Sequence, residues 1–294
     1  MSVDNFYLYK DVKLGFGNFN LPPVLIGTMF YQGQSIVERN STKNFNKEKA
    51  KKRIQNQQDL STQYKIPSMI EISADNPDAM IKYLEFYLDN FEPPFVLGGS
   101  FEARASGTAY LIERGVKPEE FIYNTISNLK NEKECELIKL YKIESIVLLI
   151  LGAKNMTSSQ RFNYIVEKNQ PNNISLLDGL KGLGVKRIWI DGGVIDLESL
   201  AHILETQQLI STSLKLPTGT APNLFLFYYS SPKLNLKFHT RYRRASIMFI
   251  ASWFSNFIFY GAIEDAKECF ASTYQAIEFR NIIKSRNIKL LDEF

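Results

Sequence analysis

Cysteine and histidine are scarce. The chain of 294 residues has two cysteines, Cys135 and Cys269, and two histidines, His202 and His239. Their spacing makes no metal site and there is no CxxC pair, so no bound metal is expected. The cysteines read as inert core thiols in a reducing compartment. Nucleotide signatures are missing too: there is no G-x-x-x-x-G-K-[ST] and no glycine fingerprint after the first strand. G-x-S-x-G and HExxH are absent, which removes two common hydrolytic routes. Charge of one sign is not concentrated. The net charge of +4 is too diffuse for nucleic acid, and the densest basic run, KEKAKKR, carries an acid and falls at helical spacing. The N-terminus, MSVDNFYLYKDVK, has no apolar core of signal-peptide length.

One uncharged run, 245–263, approaches the length that spans a bilayer. Ser246, Ser252, Ser255, Asn256 and Gly261 interrupt it, and it divides into a helix-like ASIMFIASWF and a strand-like NFIFYG. It reads as a buried helix feeding a buried strand, with no membrane span. A soluble, cytoplasmic protein is expected.

What is present is alternation. In RIWIDGGV (187–194), a short β-branched and aromatic run ends abruptly in Asp191 and two glycines, the pattern of a buried strand. An acid there needs a polar mouth. Other apolar runs end similarly: SMIE in Glu71, FIYN in Asn124, KLPTG in Thr218 and Gly219. Strands are predicted at 23–31, 68–74, 95–100, 121–127, 145–152, 187–191, 212–219 and 256–261. Helical patterns separate them at 47–62, from 77 to about 91, at 101–115, 130–143, 157–168, 174–183, 196–210 and 238–254, and a last helix runs over 264–285. Asp75-Asn76-Pro77 is a helix start, with Asp75 expected as N-cap. Eight strand–helix units imply an α/β protein with a closed (β/α)8 barrel of the TIM type, one domain over 1–294. Residues 1–22 are expected to form a hairpin that plugs one end.

In such a barrel the active site lies at the C-terminal strand ends. The polar residues there are Gln32, Gln34, Glu71, Asp75, Ser100, Glu102, Asn124, Ser127, Lys154, Asn155, Asp191, Thr218, Thr220, Asn223, Glu264 and Asp265. This set of amides and carboxylates, without a nucleophile or metal cluster, suits a flat, nitrogen-rich heterocycle held by paired hydrogen bonds. Asp191 equally fits a helix cap or a structural pair with Arg187. Asn124 also fits a turn, and Glu264 and Asp265 fit first-turn acids favoured by the helix dipole.

The stretches VLIGTMFYQGQSIV, FNKEKAKKRI, FIYNTI, LLILGAKNMTSSQR and FIFYGAIEDAKECF carry a resemblance over nearly the whole chain. It is to the MtrH family, the pterin-binding subunits of tetrahydromethanopterin S-methyltransferase, and to their tetrahydrofolate-using relatives in corrinoid methyl-transfer systems. The resemblance implies movement of a methyl group between N5 of a tetrahydropterin and the cobalt of a corrinoid held by a separate corrinoid-binding protein, with a homodimer expected. It marks Asn124 and Asp191 as catalytic. Glu71, Asp75, Ser100, Thr218 and Asn223 are expected to join them in binding the pterin.

The chain also departs from that family. An aspartate and serine commonly close the third strand, where this chain has Gly98 and Gly99. Gly152 stands where the family often has asparagine, and Gln32 and Gln34 where it has histidines. A one-residue shift would exchange Asn223 for Leu224. Glu71 replaces an aspartate by a longer arm. The glycine pair leaves a second possibility, a barrel that binds pterin or the corrinoid protein without turnover. A pterin-linked synthase or reductase is the weakest reading, for want of any phosphate or flavin motif.

Overall fold

The computed structural model describes residues 5–38, 41–150, 156–194, 196–222 and 240–286. The chain opens with an antiparallel hairpin, β1 (Asn5–Tyr9) and β2 (Val12–Phe16). The first barrel strand is β3 (Val24–Met29). A second small antiparallel pair follows, β4 (Val37–Glu38) with β5 (Ser41–Phe45), where only a loop was expected. From there strands and helices alternate: α1 (Lys47–Tyr64), β6 (Ser68–Ala74), α2 (Pro77–Asn90), β7 (Phe95–Gly99), α3 (Phe101–Glu113), β8 (Phe121–Ile126), α4 (Glu132–Leu140) and β9 (Ser145–Leu149). Two short helices, α5 (Ser158–Val166) and α6 (Leu176–Gly182), lead to β10 (Arg187–Asp191). The described chain closes with α7 (Leu197–Leu214), β11 (Thr218–Thr220), α8 (Thr240–Ala251), β12 (Phe257–Ala262) and α9 (Ala266–Ser285). The strands β3, β6, β7, β8, β9, β10, β11 and β12 pair in that order, all parallel, and close on one another. The fold is the (β/α)8 TIM barrel.

Strand geometry explains how the interior is layered. Side chains alternate across a strand, so one face of each strand looks inward. Val24 and Ile26, Met69, Val96, Ile122, Val147, Trp189, Phe257 and Phe259 meet there as one apolar cluster. The next inward positions, two residues further on, are Thr28, Glu71, Gly98, Asn124, Leu149 and Asp191. Polar groups therefore appear one layer above a dry core. The opposite faces carry residues such as Ile72, Leu97, Tyr123, Leu148 and Ile190, packed with the outer helices.

The hairpin closes the N-terminal end. Tyr9, Val12 and Leu14 are buried in the same interior cluster. Tyr9 donates to Ser145 Oγ at 3.0 Å and accepts from Trp189 Nε1 at 2.8 Å, with the two rings edge to face. Arg187 lies over the Tyr9 ring, 4.8 Å from its centroid. Tyr9→Phe would leave the buried indole N–H without its partner, so a loss of about 1–3 kcal/mol is expected in denaturant melts.

The largest boundary differences from the sequence reading lie at α7 and β11. The strand predicted over 212–219 is only Thr218–Thr220, because α7 continues to Leu214 before Lys215 turns left-handed. Ile203, Gln207, Ile210 and Leu214 recur at three and four, and this helical period outweighs the β-propensity of the ISTS segment. The uncharged run divides into helix and strand as expected, and no described helix is long and apolar enough to cross a membrane. Cys269 is buried, whereas Cys135 is only partly so.

Candidate functional site

At the C-terminal strand ends the barrel opens into a cavity of about 280 Å³, lined by Thr28, Glu71, Asn124, Leu149, Asp191 and Phe259 among others. Two larger hollows of about 450 Å³ lie at the hairpin end. They are edged by Lys10 and Glu92, which pair with each other, and they lie away from the end where such barrels do chemistry.

Glu71 occupies the centre of one wall. Its Oε2 accepts from Thr28 Oγ1 and its Oε1 from Asn124 Nδ2, both at 2.6 Å. Register places Thr28 beside Glu71 across β3 and β6. A bulge in β8 between Asn124 and Ile126 brings Asn124 and Thr125 to the cavity together. Burial pushes the Glu71 carboxyl up, against the hydrogen bonds from Thr28 and Asn124 and the charge of Arg104.

The glycine pair of β7 has a local cause. A Cβ on Gly98 would overlap Glu71 Oε1 and lie 3.0 Å from its Cδ and 3.1 Å from its Cγ. Glu71 thus fills the space in front of β7 that a side chain there would need. Gly99 has φ +102° and a Cβ on it would run into Ala74 backbone, so that position demands glycine on torsion as well. Behind the pair, Arg104 donates to Gly99 O and pairs with Glu134 at 2.5 Å, while Tyr123 donates to Glu134 at 2.7 Å.

Asp191 faces Glu71 from β10. One oxygen, Oδ1, accepts from Gly193 N at 2.9 Å, and among the described residues Oδ2 has no hydrogen-bond partner. Only 6% of the residue is exposed. Burial is the main force that raises its pKa to about 7; the Gly193 bond opposes this and the Glu71 charge adds to it. The two structural roles open to Asp191 in the sequence are not those it takes. The cap of α7 is Asp196, and Arg187 sits at the other end of β10 over Tyr9. Arg161, wholly buried, braces the turn after Asp191 by donating to Gly192 O at 2.8 Å.

Glu71, Asn124 and Asp191 therefore meet in one cavity, as the sequence suggested. Three other expected residues do not line it. Asp75 is exposed, and the cap of α2 is Asn76, which accepts from Ala79 N at 3.0 Å. Ser100 caps α3 and donates to Asp75 O. Thr218 shares a buried network with Asn256, which reaches back to Asn18 O near the hairpin end. Alternation puts Thr218 on the face opposite Ala221, the residue of that segment that does line the cavity. Asn223, with Gly152, Lys154, Asn155, Leu224 and His239, lies outside the described residues. Glu264 and Asp265 are not merely first-turn acids: they pair with Arg53 at 2.8 Å and Arg244 at 2.7 Å. Glu264 also accepts from the buried Gln34. Thr28, Leu149 and Phe259 went unread as lining residues, although each continues an inward alternation that the sequence shows.

At its C-terminal mouth the closed barrel gathers two buried carboxylates and an amide over apolar walls, groups able to accept from a small molecule rich in N–H donors. The family model of the tetrahydromethanopterin S-methyltransferase MtrH subunit matches residues 9–284, and the chain belongs to that family. It is 28% identical over 210 residues to the H subunit of that enzyme from Methanothermobacter marburgensis, covering 71% of this chain and 67% of the relative. The Methanothermobacter thermautotrophicus protein of the same name is 35% identical over 138 residues, 47% of this chain and 44% of the relative. The H subunit of a putative methyltransferase, mtx, from Methanosarcina barkeri is 32% identical over 149 residues, 50% of this chain and 47% of the relative. The chain thus spans from under half to about two thirds of the length of these curated relatives.

Proposed function

We propose that the protein is a methyltransferase that moves a methyl group between N5 of a tetrahydropterin and the cobalt of a corrinoid carried by a separate protein. Tetrahydromethanopterin is the favoured carrier because the relatives' names specify it; tetrahydrofolate is the other. The observation that carries this reading is Asp191, a buried carboxylate with one oxygen held by Gly193 N–H and the other without a partner among the described residues. The aminopyrimidinone edge of a pterin offers adjacent N–H donors to such a group. Leu149 and Phe259 give the ring apolar walls, and a cavity of about 280 Å³ matches a bicyclic head with its tail leaving through the mouth.

A methylated tertiary amine leaves poorly, so N5 needs a proton or a strong hydrogen bond as its bond to carbon breaks. In this reading the Asn124 carbonyl accepts from N5 once that nitrogen is protonated, while Asp191 grips the far edge of the ring. The reduced cobalt is the nucleophile, so this chain need supply none. The reading without turnover rested on the missing acid of β7, and Glu71 in front of Gly98 weakens it. Calorimetry with methyl-tetrahydromethanopterin and methyl-tetrahydrofolate tests the proposal. Asp191→Ala should weaken binding by about 1.5–3 kcal/mol, the value of a charged hydrogen-bond partner. Unchanged affinity in a folded variant would remove Asp191 from the site.

A further inference from the structure

An asparagine side chain can show a ligand either its carbonyl oxygen or its amino group, and which one it shows decides what it selects. Asn124 has its Nδ2 committed. That atom donates to Glu71 Oε1 at 2.6 Å, while Thr28 Oγ1 donates to the other Glu71 oxygen at 2.6 Å. A carboxylate between two donors only accepts, so the amide cannot turn over without setting its oxygen against a carboxylate oxygen. The neighbouring chain is also fixed, since Thr125 Oγ1 donates to Val147 O at 2.9 Å. Glu71 reaches Asn124 because nothing stands on Gly98, whose Cβ would collide with the carboxylate.

We propose that Glu71 is a positioning residue that fixes the Asn124 amide, so that Asn124 turns its carbonyl oxygen to the bound ligand and selects an N–H donor there. The choice of a pterin as that ligand rests on the proposed function; the orientation does not. In pterin terms, the selected group is a ring nitrogen that carries a proton. An unprotonated nitrogen, which needs a donor, is disfavoured at the same spot. Gly98 is part of the device, because it gives Glu71 the room to reach across from β6 to β8.

Two measurements test this, one without ligand. In side-chain amide NMR of the native protein, one Asn124 Nδ2 proton should be shifted downfield and protected from exchange. Glu71→Gln, whose carbonyl can still accept, should keep that signature, and Glu71→Met should lose it. An Asn124 signal in the native protein like that of a free amide would overturn the orientation. The second measurement is calorimetry with 6-methyltetrahydropterin on the exchange variant E71Q/N124D, with thermal melts to confirm folding. There the introduced amide on β6 donates to the introduced carboxylate on β8, whose second oxygen faces the ligand as an acceptor, so affinity should stay close to native. A loss of about tenfold or more in the folded exchange variant would mean that Asn124 serves the ligand through its N–H. Failure of the native protein to bind any tetrahydropterin would sink the proposed function, while the amide spectra would still decide the orientation.

Discussion

Gly98→Asp should destabilise the protein by about 3 kcal/mol or more and abolish pterin binding, although it restores the acid that the family resemblance leads one to expect there. The reasons are volume and charge. The new Cβ would fall onto the Glu71 carboxylate, which is itself buried and held by Thr28 and Asn124. Overpacking of this kind costs about 1–3 kcal/mol, and a second carboxylate pressed against the first adds like-charge repulsion in a poorly solvated site. Backbone torsion is not the obstacle, since Gly98 lies outside the left-handed region that Gly99 occupies. The effect should therefore be relieved by a second substitution at the partner: E71A/G98D should regain much of the melting temperature. A well-folded, pterin-binding single variant would show that Glu71 does not hold the position described.

Asp191→Asn should stabilise the folded protein above neutral pH while it weakens ligand binding. Asp191 holds its proton up to a pH of about 7 in the folded chain, against an ordinary value of 3.8. Between those limits the unfolded chain has released a proton that the folded chain keeps. Unfolding free energy then falls by about 1.4 kcal/mol for each unit of rising pH. Across the window this amounts to roughly 4 kcal/mol, with no further loss above the folded value. Asparagine carries no charge and still accepts from Gly193 N, so the variant should melt higher than the native protein at pH 8 and show a flatter pH profile. Pterin affinity in the native protein should have the opposite trend, rising with pH until Asp191 is ionised and then levelling. The asparagine variant should bind about tenfold or more weakly at pH 8. A lower melting temperature for Asp191→Asn at pH 8 would mean that the aspartate charge is paired in a way the structure does not contain.

Much of this architecture could be read in the sequence, because parallel buried strands show as apolar runs and the intervening helices as a three-and-four period. SMIEISA and RIWID coincide with β6 and β10. Glu71, Asn124 and Asp191 were legible as polar residues that end apolar strands, and alternation places all three inward. What misled was proximity to a strand end without regard to face. Ser100 and Asp75 belong to the loops that cap α3 and α2, and Thr218 points to the wrong side of β11. The Glu71–Gly98 relation was not legible at all. It depends on one long side chain reaching from β6 across β7 to β8, and neither residue gives notice of the other in its own segment.

Whether the cavity around Glu71, Asn124 and Asp191 transfers a methyl group is tested most directly by transfer itself. A methyl-tetrahydropterin would be offered to a reduced corrinoid protein and the change in corrinoid visible absorbance followed. Methyl-tetrahydromethanopterin and methyl-tetrahydrofolate would be run side by side, with the native chain, Asn124→Ala and Asp191→Asn. Rapid methylation is expected with native protein and at least one carrier, and strong slowing in both folded variants. Native protein that binds the carriers yet leaves several reduced corrinoid proteins unmethylated would contradict the proposed transfer, and would make this barrel a binding module.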